Sequence, residues 1–250
     1  MEQGTKKVAR AKARGAPEPD SGTWESTRAN VPAASLRADL LLRAFFEAPT
    51  ERVAPRLLGK VLASRTNSGW LVGRIVEVEA YLGPHHKTPD PAAHTHRGPT
   101  PRNQVIFGPA GHAYVYSIYG RYFCMNITCE ADGRAGCVLL RALEPLAGLE
   151  QMAENRGLAP GTHSGCVLTS GPSRLCQALE LDRPTHNGLD LLDSASPLQV
   201  RDDGFRARKV VVTPRIGIRH AVDLPLRFAL PEHECVSGSK RIKGKCIFVR

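Results

Sequence analysis

Glu77, Glu79 and Tyr81 stand at alternate positions of one apolar stretch, and every tyrosine of the chain (Tyr81, Tyr114, Tyr116, Tyr119 and Tyr122) falls between Gly73 and Arg141. Tyrosine needed only for packing would be scattered. Gathered beside two carboxylates, the rings read as a site. A positioned carboxylate can take a proton from water and steady the positive charge that develops as a bond breaks. Asn126 and Arg141 sit inside apolar stretches of the same segment. A charge buried there is costly unless paired, so Arg141 calls for a carboxylate or phosphate partner. The plainer alternative is that Glu77 and Glu79 line a solvated strand face.

The elements that would position these groups can be read from hydrophobic period and turn chemistry. Residues 60–65 and 70–80 flank Asn67-Ser68-Gly69, a hairpin signal. Alternation in the second strand places Ile75, Glu77, Glu79 and Tyr81 on one face and Val76, Val78 and Ala80 on the core face. A Pro-, His- and Gly-rich loop follows from Leu82 to Pro109, and loops of that length in compact domains are usually functional. Residues 112–118 and 122–128 form a second hairpin with Tyr119-Gly120-Arg121 at its tip. In it Tyr114 and Tyr116 share a face, Phe123, Met125 and Ile127 face the core, and Cys124, Asn126 and Thr128 face away. Tyr119 is out of phase with Tyr114 and Tyr116, and an aromatic ring at a tip is a liability unless it meets a partner. A further strand covers 137–144. Helices are expected at 38–46, at 54–58 with Pro55 in the first turn, at 146–155, and at 173–179 with Ser173 as cap. Strands are expected at 189–192, 198–201, 208–213 and 226–230.

A chain of 250 residues, 42% hydrophobic, buries one core of ordinary domain size. We assign that domain to 33–238, between a disordered basic tail at 1–32 and a basic C-terminal tail at 239–250. The net charge of +10 and pI near 9.5 point to a polyanionic partner. Seven cysteines with no Cys-x-x-Cys pair fit neither a disulfide framework nor a zinc ribbon, which favours a reducing, intracellular compartment. No apolar run approaches the ~20 residues needed to cross a bilayer, and no signal peptide opens the chain.

Arg74 to Pro84, Ala92-Ala93-His94, Thr100-Pro101-Arg102-Asn103, Tyr114 to Gly120, Leu139 to Pro145, Ser170 to Leu175 and Arg215-Ile216-Gly217-Ile218 resemble, in order, the alkyladenine (3-methylpurine) DNA glycosylases. The resemblance implies an α+β single domain around a curved antiparallel β-sheet, with flanking helices and a protruding β-hairpin that enters the minor groove. It makes Glu79 the base that activates water, with Arg141 helping to hold that water. Tyr81 would stack on one face of a flipped purine, and His94 and Tyr116 on the other. Asn126 would exclude guanine, Tyr119 would fill the gap left in the duplex, and Arg102 and Arg174 would contact DNA. The implied activity is excision of alkylated or deaminated purines (3-methyladenine, 7-methylguanine, hypoxanthine, ethenoadenine) during base excision repair. No metal or cofactor is required, and a monomer acting on double-stranded DNA inside the cell is expected. The loop through His85-His86-Lys87-Thr88-Pro89 is longer than the family's, and Pro99 and Gln104 replace basic residues usual there.

Hydrolysis of an N-glycosidic bond suits these residues, since it needs a positioned carboxylate and an aromatic slot. Two other readings start from the same residues. His85, His86, Asp90, His94 and His96 could be ligands of a nuclease metal. A protein that binds damaged nucleic acid without turnover would use the tyrosines and would not need Glu79.

Overall fold

The protein is described by a computed structural model that covers residues 38–159, 161, 165–238 and 244–249. The expected tail at 1–32 lies outside these residues. In chain order the elements are β1 (Asp39–Leu40), α1 (Arg43–Phe46), α2 (Thr50–Leu57), β2 (Val61–Thr66), β3 (Gly69–Tyr81), β4 (Ala113–Ile118), β5 (Tyr122–Cys129) and β6 (Gly136–Ala147). After them come α3 (Leu149–Asn155), α4 (Gly165–Thr169), α5 (Pro172–Ala178), α6 (Arg183–His186), β7 (Leu198–Asp202), β8 (Lys209–Thr213), β9 (Arg227–Ala229) and β10 (Lys245–Phe248).

The 13-residue β3 organises a curled antiparallel sheet. One edge of β3 pairs with β6, while the other pairs with β2 through Gly69–Arg74 and then with β9 through Glu77–Glu79. Across the sheet the order is β1-β7-β2-β3-β6-β5-β4, and β9, β8 and β10 branch from the far half of β3. The α+β single domain expected from the sequence is the architecture observed. Val76, Val78, Ala80, Met125, Ile127 and Leu140 form the sheet's share of the core, against Val53 and Leu57 of α2 and Leu175 and Ala178 of α5.

Several local expectations are corrected. Ile75 lies in the core with Val76, not on the face of Glu77. Register shifts on both sides of Glu77 mark a β-bulge against β6, and an extra residue resets which face each later side chain takes. Beyond the bulge Glu77, Glu79 and Tyr81 keep their alternation. Residues 38–46 form a strand pair and one helical turn, since β1 completes the sheet beside β7. Pro55 sits late in α2, after Glu51 and Arg52, not in its first turn.

The segment at 146–155 turns helical only from Leu149, because Leu146 and Ala147 still belong to β6 and Gly148, at φ 76°, makes the corner. Gly171, not Ser173, is the N-cap of α5, and Pro172 opens it. Residues 189–192 make only an isolated bridge between Asp190 and His112. Within the expected C-terminal tail, Lys245–Phe248 pairs with β8. The cysteine reading is also corrected: Cys166 of α4 and Cys235 are joined by a disulfide across 69 positions of chain. An odd cysteine count excludes a fully paired framework, but it cannot say whether two distant thiols meet.

Candidate active site

Glu77 and Glu79 are both fully buried, so the solvated-face alternative does not hold. The far half of β3 carries them between β6 and β9, whose arginines meet them. Glu77 Oε1 accepts from Arg141 Nε at 2.8 Å and Arg227 Nε at 2.7 Å, and its Oε2 accepts from the Ser237 N–H at 2.6 Å. Burial by itself would raise the Glu77 pKa, but Arg141, Arg227 and the Ser237 hydrogen bond outweigh it, and the carboxyl is held below its ordinary value. Arg141, the charge that needed a partner, has two carboxylates. Burial works against its charge, and Glu79 and Glu77 overcome that and raise its pKa.

Glu79 is placed differently. Its Oε1 accepts from the Ile216 N–H at 2.8 Å and faces Arg141 Nη1 at 3.2 Å, while its Oε2 accepts from the Tyr81 hydroxyl at 3.0 Å. In front of it opens a cavity of about 440 Å³, within the range of small-ligand clefts, lined by Tyr81, His94, Tyr116, Asn126, Cys137 and Arg141 among others. The carboxylate lies just behind the wall made by Tyr81, Arg141 and Ile216.

The aromatic walls come from three elements. His94, on the long loop, packs edge-on against Tyr116 with ring centroids 4.6 Å apart, and Tyr116 stacks on Tyr114 at 5.4 Å. His94 Nδ1 is 2.9 Å from the Tyr114 hydroxyl, and Asn103 Nδ2 donates to the His94 carbonyl at 2.8 Å, so backbone and ring are both held. Burial first, and the Arg102 guanidinium second, push the His94 pKa down, which keeps the ring neutral at pH 7. Burial also pushes the Tyr81 and Tyr116 hydroxyls up, so both rings stay uncharged phenols. The rings themselves thus carry no charge that would repel a cationic ligand.

Sequence reasoning missed the pair that supports Tyr81. Asp90 and Arg215 are buried with no exposed side-chain surface and bonded two-fold, with Arg215 Nη2 donating to Oδ1 at 2.9 Å. The same guanidinium donates to the Ala80 carbonyl at 3.0 Å and lies 4.6 Å from the Tyr81 ring centre. Arg215 thus ties the long loop to the segment carrying Ile216. Arg227, likewise unassigned, was open to the argument applied to Arg141, being a charge inside an apolar strand. Ile216 entered only as part of the Arg215-Ile216-Gly217-Ile218 stretch, without a role, because what it contributes is a backbone N–H.

The loop histidines do not converge as a ligand set. Asp90 is taken by Arg215, His94 meets Tyr114, and His86 lies against the Thr88 backbone and 3.6 Å from Glu51. Of the remaining predicted residues, Tyr119 and Arg102 line the cavity and Arg174 does not. Tyr119 is 89% exposed at the β4–β5 tip, with φ at +50° beside Gly120 at +73°. Exposed Arg102 reaches over the Tyr116 ring at 5.5 Å. Arg174 lines a neighbouring cleft of about 410 Å³, which shares Arg141, Pro172 and Ile216 with the first.

Sequence comparison points the same way. The family described as Methylpurine-DNA glycosylase (MPG) matches residues 44–234. A Koribacter versatilis protein named "Putative 3-methyladenine DNA glycosylase" is 50% identical over 80% of this chain and 94% of its own length. Relatives of the same name from Burkholderia cenocepacia and Methanoculleus marisnigri are 44% and 47% identical, over 85% and 78% of this chain and 98% and 96% of theirs.

Proposed function

Because this chain belongs to the methylpurine-DNA glycosylase family, we propose that it is a monofunctional hydrolase that flips alkylated or deaminated purines out of duplex DNA and cuts their N-glycosidic bond. The observation that carries this reading is Glu79, a fully buried carboxylate held by Ile216, Arg141 and Tyr81 directly behind an aromatic cavity. In this mechanism Glu79 takes the proton of the attacking water and steadies the oxocarbenium-like sugar, while Arg141 fixes the carboxylate's orientation. Tyr81 covers one face of the extruded base, and His94 and Tyr116 the other. Stacking of this kind contributes about 1–3 kcal/mol per base. A cationic alkylated purine gains further from the ring faces and is already a good leaving group. Asn126 meets the purine edge and excludes guanine. Arg102 and Arg174 contact the DNA backbone, which fits the charge of +10. The unit at work spans 33–238 and acts as a monomer on DNA within the cell.

Incubating the protein with duplexes containing hypoxanthine, ethenoadenine or 3-methyladenine, with and without EDTA, and then treating with alkali, tests the reading. Alkali-dependent strand breaks that survive EDTA are expected. Breaks abolished by EDTA, or binding without base release, would replace it with a metal nuclease or a pure binding protein.

Tyr119 is the proposed wedge. A large ring held at positive φ and almost wholly exposed is strained and without cover, the state expected of a side chain that finds its partner only in the complex. Filling the vacated stack offsets part of the few kcal/mol that extrusion costs. Tyr119→Ser should lower the flipped fraction of an ethenoadenine fluorescence probe and slow duplex excision while the melting temperature stays put. A mutant that flips the probe as well as wild type would return Tyr119 to the role of a turn residue.

A further inference from the structure

We propose that Cys137 sets the hydrogen-bonding polarity of the Asn126 side chain and so determines which purine edges the cavity accepts, an inference that rests on the reading of Asn126 as the residue at the purine edge. The sheet register makes the two neighbours. Asn126 faces Leu139 and Thr128 faces Cys137 across β5 and β6, so Asn126 and Cys137 are diagonal partners on one face. Both are buried and both line the cavity. Cys137 Sγ is 3.6 Å from Asn126 Oδ1. Between a thiol and an amide oxygen only the S–H can donate. Burial pushes the Cys137 pKa up to about 12, so the thiol keeps its proton at neutral pH.

This contact decides which end of the amide is left over. With Oδ1 engaged by Cys137, the free end is Nδ2, and that nitrogen is buried with no hydrogen-bond partner. An unsatisfied buried donor is costly and persists where a ligand supplies the acceptor. A purine whose edge carries only a ring nitrogen lone pair, as in hypoxanthine or ethenoadenine, meets that donor favourably. Guanine presents its exocyclic amine, setting donor against donor whether or not space is available. Without the thiol proton the amide is free to reverse and offer Oδ1, which would accept from the amine. The gate is then one of polarity as well as size, and Cys137 sets it through the amide, as a positioning residue.

The test compares single-turnover release of guanine and hypoxanthine, each opposite thymine, by wild type, Cys137→Ala, Cys137→Ser and Asn126→Ser, with melting curves for each. Loss of the donor should raise the guanine-to-hypoxanthine ratio about tenfold, the worth of one buried hydrogen bond. Cys137→Ser, whose hydroxyl donates to the same oxygen, should leave it within about twofold of wild type, inside the usual scatter of non-interacting changes. In the Asn126→Ser background, Cys137→Ala should add nothing, since its effect runs through the amide. If Cys137→Ala melts early, Cys137→Val fills the strand site without a donor and takes its place. A ratio moved by Asn126→Ser but not by removal of the thiol overturns the role of Cys137 and leaves the reading of Asn126 intact. Equal shifts from Ala and Ser overturn it too, by making side-chain volume the cause. A ratio that Asn126→Ser does not move overturns the reading of Asn126, and this inference with it.

Discussion

Glu79→Gln is expected to bind a lesion-containing duplex as wild type does and to lose base excision by about 10²–10⁴-fold, the usual cost of removing a general base. Geometry makes this substitution informative. The glutamine oxygen can still accept from the Ile216 N–H, and the new amine can turn toward the Tyr81 hydroxyl, so each group now bonded to Glu79 keeps a partner. Arg141 keeps Glu77 and the Ser237 hydroxyl, at 3.3 Å from its Nη2. Folding and the aromatic walls should therefore survive, and what disappears is the capacity to take a proton and to face a cationic sugar with a negative charge. Single-turnover excision within tenfold of wild type, in a mutant with an unchanged melting temperature, would remove Glu79 from the reaction.

The second large effect belongs to Glu77 and is expected in stability before activity. Its carboxylate joins β3 to Arg141 of β6, Arg227 of β9 and the backbone of Ser237, all of them buried. Glu77→Gln leaves Arg227 with no carboxylate and Arg141 with only Glu79. Removing one partner of a buried ion pair costs about 3–5 kcal/mol, because the remaining charge stays out of water. At roughly 2–4 °C per kcal/mol for a domain of this size, the melting temperature should fall by about 10 °C.

The pH dependence of this stability has a definite sign. Glu77 titrates lower in the folded than in the unfolded chain. Its stabilisation is thus fully present above the ordinary carboxyl value of about 4.3 and is lost as pH falls from there through the folded value. Wild type should lose stability in that acid window, and Glu77→Gln should flatten that part of the curve. A mutant melting within a degree or two of wild type, with the same acid profile, would show that the lattice around Glu77 is not what holds β3, β6 and β9 together.

Much of this site was legible in the chain because its information is local. Alternation placed Glu79 and Tyr81 on one face of a strand, the Tyr119-Gly120-Arg121 turn put Tyr119 at a tip, and the apolar neighbours of Arg141 announced a buried charge in need of a carboxylate. Those inferences use periods of two residues and the chemistry of single side chains, which any short segment carries. The bulge at Glu77 escaped them: a one-residue misfit is defined only against β6, and it moved Ile75 into the core.

The groups that hold the site escaped for the same reason, at longer range. Asp90 meets Arg215 across 125 positions, Glu77 meets Ser237 across 160, and Ile216 brings a backbone N–H to Glu79 across 137. Cys166 and Cys235 likewise come together only because α4 and the segment after β9 pack side by side. The sequence by itself determined the chemistry available: a carboxylate, a set of rings, a guanidinium and an amide within one segment. Which oxygen of each carboxylate is occupied, and which end of the Asn126 amide is left unpaired, were decided by the tertiary structure alone. Those are questions of distance and desolvation between strands remote in the chain, and no local period encodes them.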